Sequence, residues 1–239
     1  ERACSDGPVG RLAFGADDFL YRADPDAQGG RRLGVLAGFP WFGEWGRDVF
    51  LALPGLSLAR GRADVAVEVL TGALPFLRGG LLPNIYGSAV EDSDYGSCDA
   101  ALWFALAVQR LADAGGDAAH DRLVQDRLVP ALVGIADAYV AGADLGLAVD
   151  EDGLLRAGRG DLNATWMDAR TSAGPVTPRQ GLPVEIQALW FALLAFVVER
   201  GEARFDALRA RCGAAFAKRF WLAEHKRLAD RVHEGRPDA

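Results

Sequence analysis

Residues Ala37 to Asp48, AGFPWFGEWGRD, place Trp41 and Trp45, Phe39 and Phe42 beside an Arg47–Asp48 pair. Flat aromatic faces stack on the apolar faces of sugar rings, and an Arg–Asp pair grips hydroxyls through directional hydrogen bonds. The stretch has neither helical nor strand period, so it reads as a loop. Exposed indole on a loop is a solubility cost unless something binds it. A second reading is a packed corner, with Trp41 and Trp45 as core anchors and Arg47–Asp48 as an ion pair at a helix start. On this stretch alone both readings stand.

Two further loops carry polar groups. Residues Gly79 to Asp99 hold Asn84 after Pro83, and Asp99 at a helix start, among acids that read as solvated (Glu91, Asp92, Asp94). Asp99 suits a helix N-cap as well as it suits a sugar ligand. Residues Asp161 to Glu185 set Asp168 two positions after Trp166, then Arg179, then Glu185 at the head of an apolar helix. A carboxylic acid beside an indole is the arrangement a glycosidase general acid needs. Apolar burial disfavours the ionised form, so a proton is kept for the leaving oxygen.

These loops must be held by helices. Apolar periodicity predicts helices over 48–60, 63–77, 98–114, 121–140, 184–200 and 203–220, with Pro54 kinking or limiting the first. Gly61 suits a tight helix-to-helix connection. Ser97 or Asp99 serves as the start signal of the third helix. Between them run long irregular segments, 29–47, 79–97 and 142–183. Strand alternation is confined to Val35–Leu36 and Gly146 to Val149. Helix, short turn, helix, long loop is the pattern of an array of α/α hairpins, and several helices are apolar over too wide a face for the surface, which predicts an inner layer. A plain bundle would not need such loops.

Composition narrows the function classes. A chain of 239 residues that is 50% hydrophobic has the size of one domain with a substantial core. A net charge of −7, a pI near 5.0 and the lack of a Lys/Arg cluster argue against nucleic acid. Cys4, Cys98 and Cys212 are odd in number and widely spaced, which predicts free thiols in a reducing compartment. His120, His225 and His233 form no metal-ligand spacing, and no cofactor motif is present. The amino terminus lacks the apolar stretch of a signal peptide, and apolar runs are shorter than a membrane span. The expectation is a soluble, cytoplasmic protein.

Five stretches, WFGEWGRD, GLLPN, CDAALWF, TWMDA and TPRQGLPVEIQALW, occur in this order from residue 41 to residue 190. In order and spacing they resemble the amylo-α-1,6-glucosidase domain of glycogen debranching enzymes, over about Phe14 to Trp221. Any one motif is weak; together they are specific. The resemblance implies an all-α fold, the (α/α)6 six-hairpin toroid. It also implies inverting removal of the α-1,6-linked glucose left at a trimmed branch point of glycogen, limit dextrin or a malto-oligosaccharide. Asp168 would be the general acid, and Arg47 and Asp48 would hold the hydroxyls of the terminal glucose. Trp41, Trp45, Trp103 and Trp166 would be subsite walls, with Asn84, Asp99, Arg179 and Glu185 as polar lining.

Some positions depart from the family pattern. Glu44 stands where aspartate is usual, Val49 for threonine, Cys98 for valine and Gln187 for asparagine; these changes are expected to tune packing or subsite fit. An inverting glycosidase also needs a second carboxylate to activate water, in this family a glutamate well downstream of TWMDA. Glu185, Glu199, Glu202 and Glu224 do not read as that base, which is expected beyond residue 239. The expectation is therefore one catalytic domain over 1–239, truncated at its C-terminus, that self-associates or is poorly soluble through the open edge of its toroid. The alternatives are a truncated or decayed glucan-binding module without turnover, and a glucoamylase- or trehalase-like exo-glycosidase on the same toroid.

Overall fold

The computed structural model of the protein describes residues 7–25, 29–159, 162 and 164–238. Cys4 lies outside them. A short helix α1 (Pro8–Gly15) leads into an antiparallel ribbon of β1 (Leu20–Arg22) and β2 (Leu33–Val35). Then come α2 (Gly46–Leu56), α3 (Ala63–Ala73), α4 (Asp99–Asp113), α5 (Ala118–Leu123) and α6 (Val129–Ala141). The segment before α7 (Val184–Glu199) holds β3 (Ala148–Val149) and β4 (Leu155–Arg156), β5 (Arg170–Thr171) and β6 (Gly174–Pro175), and β7 (Leu182–Pro183). After α8 (Asp206–Phe220) come β8 (Trp221–Leu222), β9 (Arg227–Leu228), β10 (Arg231–His233) and β11 (Arg236–Asp238).

The helices pair as hairpins. Gly61, at a left-handed φ of 68°, turns the chain between α2 and α3, as its place between two apolar runs predicts. The stretch expected as one helix over 121–140 starts earlier, at Ala118, because Asp117 caps it through the amides of Ala119 and His120. It then runs through a π-type turn at Val124–Leu128 into α6. Pro130, in the first turn of α6, has no N–H to return to the preceding turn, and the register widens there.

The first helices of the three hairpins, α2, α4 and α7, pack side by side, α4 in the middle. They supply much of the core: Val49, Phe50 and Leu53; Ala101, Leu102, Phe104, Ala105 and Val108; Ile186, Trp190, Leu193, Leu194 and Val197. α7 is buried around most of its circumference, as a helix of an inner layer must be. α3, α6 and α8 pack on this layer.

Small ribbons qualify the all-α expectation. The long segments fold back on themselves as two- and three-residue ladders, each turned by glycine or polar residues, and the C-terminal hairpin β10–β11 pairs with β7 in the order β11–β10–β7. The architecture is a helical-hairpin layer with ribbons at its loops. Among the described residues no helix is long and apolar enough to cross a membrane. Cys98 and Cys212 are buried free thiols.

Candidate active site at the helix N-termini

The three inner helices bring their N-termini to one place. Gly46 begins α2 against the Pro83 carbonyl and the first turn of α4. A Cβ on residue 46 would lie 2.1 Å from the Pro83 oxygen and 3.1 Å from the Ala100 Cβ. Only glycine allows this approach, which explains the Gly between Trp45 and Arg47. The Gly46 amide donates to the Asn84 carbonyl at 3.0 Å, and the Tyr86 amide to the Glu44 carbonyl, so the two loops run as one piece. The Cys98 amide donates to the Ala164 carbonyl at 2.8 Å, which ties the TWMDA segment to the head of α4.

Each inner helix carries an acid in its first turn: Asp48, Asp99 and Glu185. Unpaired amides and the helix dipole favour negative charge there. Arg47 Nε donates to Asp99 Oδ2 at 2.5 Å and its Nη2 to Asp99 Oδ1 at 3.2 Å, a fork held across two helices. Ser97 Oγ also donates to Asp99. Among the described residues Arg47 Nη1 has no protein partner, so one arm of the fork is left for a ligand. The field of Asp168 reaches both Arg47 and Asp48. Burial raises the Asp48 carboxyl above its ordinary range, and Arg47 offsets this only in part.

A second ion pair adjoins the first. Arg179 donates to Glu185 on α7 and to Asp230, and its Nη1 lies 3.9 Å from the Met167 sulfur. Cys98 sits between the two pairs: burial pushes its thiol well up, with Asp99 and Glu185 adding to that and Arg47 opposing it. Burial likewise raises the Glu185 carboxyl, partly offset by Arg179. Among the described residues, Asn84 Oδ1 and Glu185 Oε1 are buried acceptors with no protein partner, as is the hydroxyl oxygen of Thr165, the residue before Trp166. Buried acceptors are normally satisfied, so Asn84 Oδ1 and Glu185 Oε1 are suited to a hydroxyl donor.

The aromatic loop divides between its two expected readings. Trp45 is half-buried at the head of α2, whereas Trp41 is 85% exposed at the tip of a turn closed by Phe42 N donating to Gly38 O. The base of the loop is fixed by Glu44, buried and bound bidentately by Arg32 and by the Tyr21 hydroxyl at 2.8 Å. Arg32 in turn lies over the rings of Phe76 and Tyr86, 5.2 and 4.6 Å from their centroids. Burial and the neighbouring Glu44 push Tyr21 up to about 12.

Residues 14–239 match the amylo-alpha-1,6-glucosidase family. The chain belongs to this family. A glycogen debranching enzyme of Saccharomyces cerevisiae (strain ATCC 204508 / S288c) is 26% identical to it over 224 residues, a match that covers 69% of this chain. The chain spans 14% of that relative's length. Family membership and this relative point to a glycogen debranching glycosidase domain.

Within this amylo-alpha-1,6-glucosidase domain the predicted site residues fall into three groups. Arg47 and Asp48 stand at the head of α2 within the field of Asp168, with Asn84 and Glu185 on the adjoining loop and helix. Two residues expected as sugar lining are instead enclosed: Asp99 is 0% and Arg179 2% exposed. The charge of Asp99 is engaged by Arg47 and Ser97, and that of Arg179 by Glu185 and Asp230, so neither is presented to a sugar. Among the aromatics, Trp103 packs partly on the core one turn along α4 from Asp99. Trp166 is 52% exposed. Ser97 and Asp230 are the partners that sequence reasoning did not assign to the site. A serine two residues before Asp99 is a local signal. Asp230 gives none, because only the pairing of β10 with β7 carries it to Arg179.

Two departures from the family pattern have structural accounts. The additional methylene of Glu44 gives its carboxylate the reach to span Arg32 and Tyr21. Gln187, 0% exposed, accepts from Leu155 N and donates to the carbonyls of Leu155 and Pro183, pinning β4 to the start of α7.

Proposed function

We propose that this chain carries the acid and the glucose-holding side of an inverting α-1,6-glucosidase site acting on glycogen branch points. Asp168 donates a proton to the leaving glycosidic oxygen. Asp48 and the open Nη1 of Arg47 hold hydroxyls of the terminal glucose, with Asn84 Oδ1 and Glu185 Oε1 accepting from others. Trp41, Trp45, Trp103 and Trp166 serve as walls, with a sugar stacking on the exposed face of Trp166. Asp99 acts by aiming Arg47. The substrates are glycogen, limit dextrin and malto-oligosaccharides with an α-1,6 branch, met in the cytoplasm.

The observation that carries this reading is that the charge of Asp168 acts on both Arg47 and Asp48 at the N-terminus of α2, from a segment tied to the head of α4 by the Cys98–Ala164 hydrogen bond. Proton delivery and hydroxyl binding then act on a single sugar. An inverting reaction also needs a carboxylate that activates water from the opposite face, and we assign that role to no residue between 1 and 239. In this reading the segment is part of one catalytic domain whose hairpins continue the layer of α2, α4 and α7 into a toroid.

The test is glucose release from a limit dextrin by the complete gene product. Asp168→Asn is expected to remove release while retaining dextrin binding. Binding with no release by the unaltered gene product would instead favour a glucan-binding module, and an unchanged rate in Asp168→Asn would refute the assignment of the acid.

A further inference from the structure

Asp230 follows β9 and precedes β10, far in sequence from every motif that forms the site. Its backbone carbonyl accepts from the Val184 amide at 3.0 Å, occupying an otherwise unpaired N–H in the first turn of α7. Its carboxylate takes Arg179, whose guanidinium is buried between Asp230 and Glu185. The segment that follows Arg179 is held on both sides: Ala157 and Gly181 exchange two backbone hydrogen bonds at 2.8 and 3.0 Å, and Val232 pairs with Leu182. The same Nη1 of Arg179 that meets Asp230 is 3.9 Å from the sulfur of Met167, the residue before Asp168.

A buried guanidinium held by two carboxylates has few alternative positions, because moving away from them leaves its own charge unpaired in the interior. We propose that Asp230 and Arg179 form a latch through which the C-terminal hairpin positions the Trp166–Asp168 segment. Asp230 and Arg179 are positioning residues: neither reaches the sugar, and both act through Met167 on the place of the Asp168 carboxyl. The inference rests on the assignment of Asp168 as the acid for its functional consequence, but not for the ordering of the loop.

Asp230 is about half exposed, so Asp230→Asn removes the charge without emptying the core. Its backbone contact with Val184 does not depend on the side chain. Two readouts on the full chain separate the latch from the functional reading. Hydrogen exchange of the peptide covering 164–169 is expected to quicken about tenfold in Asp230→Asn, with the peptides of α4 and α7 unchanged and Asp230→Glu restoring the parent rate. Binding of 1-deoxynojirimycin, a glucose-shaped cation that pairs with ionised carboxylates, is expected to weaken by about five- to tenfold in Asp230→Asn and to recover in Asp230→Glu. Exchange at 164–169 that stays at the parent rate, or that rises equally in α4 and α7, would overturn the latch. If the parent chain binds no iminosugar, the functional reading fails, and the exchange measurement still decides the latch.

Discussion

Burial lifts the Asp48 carboxyl above the usual carboxylate range, and the adjacent Arg47 only partly offsets it. A carboxyl raised in the folded state binds more protons folded than unfolded, so its contribution to stability falls as pH rises through the carboxylate range. Glu185, raised by burial on α7, adds to the same trend. Asp48→Asn is therefore expected to melt at a higher temperature than the parent at pH 7, with the difference vanishing below about pH 4, where the parent carboxyl is protonated in both states. Thermal melts of both proteins across that range check it; equal melting temperatures at pH 7 would refute it. The same substitution is expected to weaken sugar binding at least about tenfold, a trade of function for stability common at sites that hold ionised groups partly out of water.

The loop that bears Arg47 and Asp48 is fixed at element level by two contacts. One is the close approach of Gly46 to Pro83, where a methyl group has no room. Gly46→Ala is expected to cost about 2–4 kcal/mol in denaturant unfolding, because backbone rather than a flexible side chain must yield. The other is the buried Glu44–Arg32 pair under Tyr86. Glu44→Ala leaves the guanidinium unpaired and is expected to cost about 3–5 kcal/mol in the same measurement. Sequence periodicity located the apolar helices to within a few residues, because α2, α3, α4, α7 and α8 each bury an apolar face whose spacing is local. It found the alternation of β2 and β3 at Val35–Leu36 and Gly146 to Val149 but not the other strands, since partners such as Leu155–Arg156 are too short to show it. Arg47, Asp48 and Asp168 could be proposed from sequence because each lies in a compact motif, WFGEWGRD or TWMDA, whose residue types chemistry restricts. The enclosure of Asp99 and Arg179 was not legible, since it depends on Arg47, Glu185 and Asp230 arriving from separate elements.

At the scale of the whole molecule, three hairpins set their inner helices in a layer and present one set of N-termini to a ligand. The surface also carries large apolar side chains in the open: Val9, Leu12 and Phe14 on α1, and Phe39, Trp41 and Phe42 on the aromatic loop. Contiguous exposed apolar surface promotes association. We expect residues 1–239 to self-associate with rising concentration in light scattering, and Leu12→Ser with Phe14→Ser to reduce it; a monodisperse monomer across the range would contradict this. The central claim is that Arg47, Asp48 and Asp168 act on one sugar, and calorimetric titration with a malto-oligosaccharide bearing a single α-1,6-linked glucose tests it most directly. Binding is expected for the parent and for Asp168→Asn, with at least about tenfold weaker binding for Asp48→Asn. Parent-level affinity in Asp48→Asn, or no binding by the parent, would contradict it.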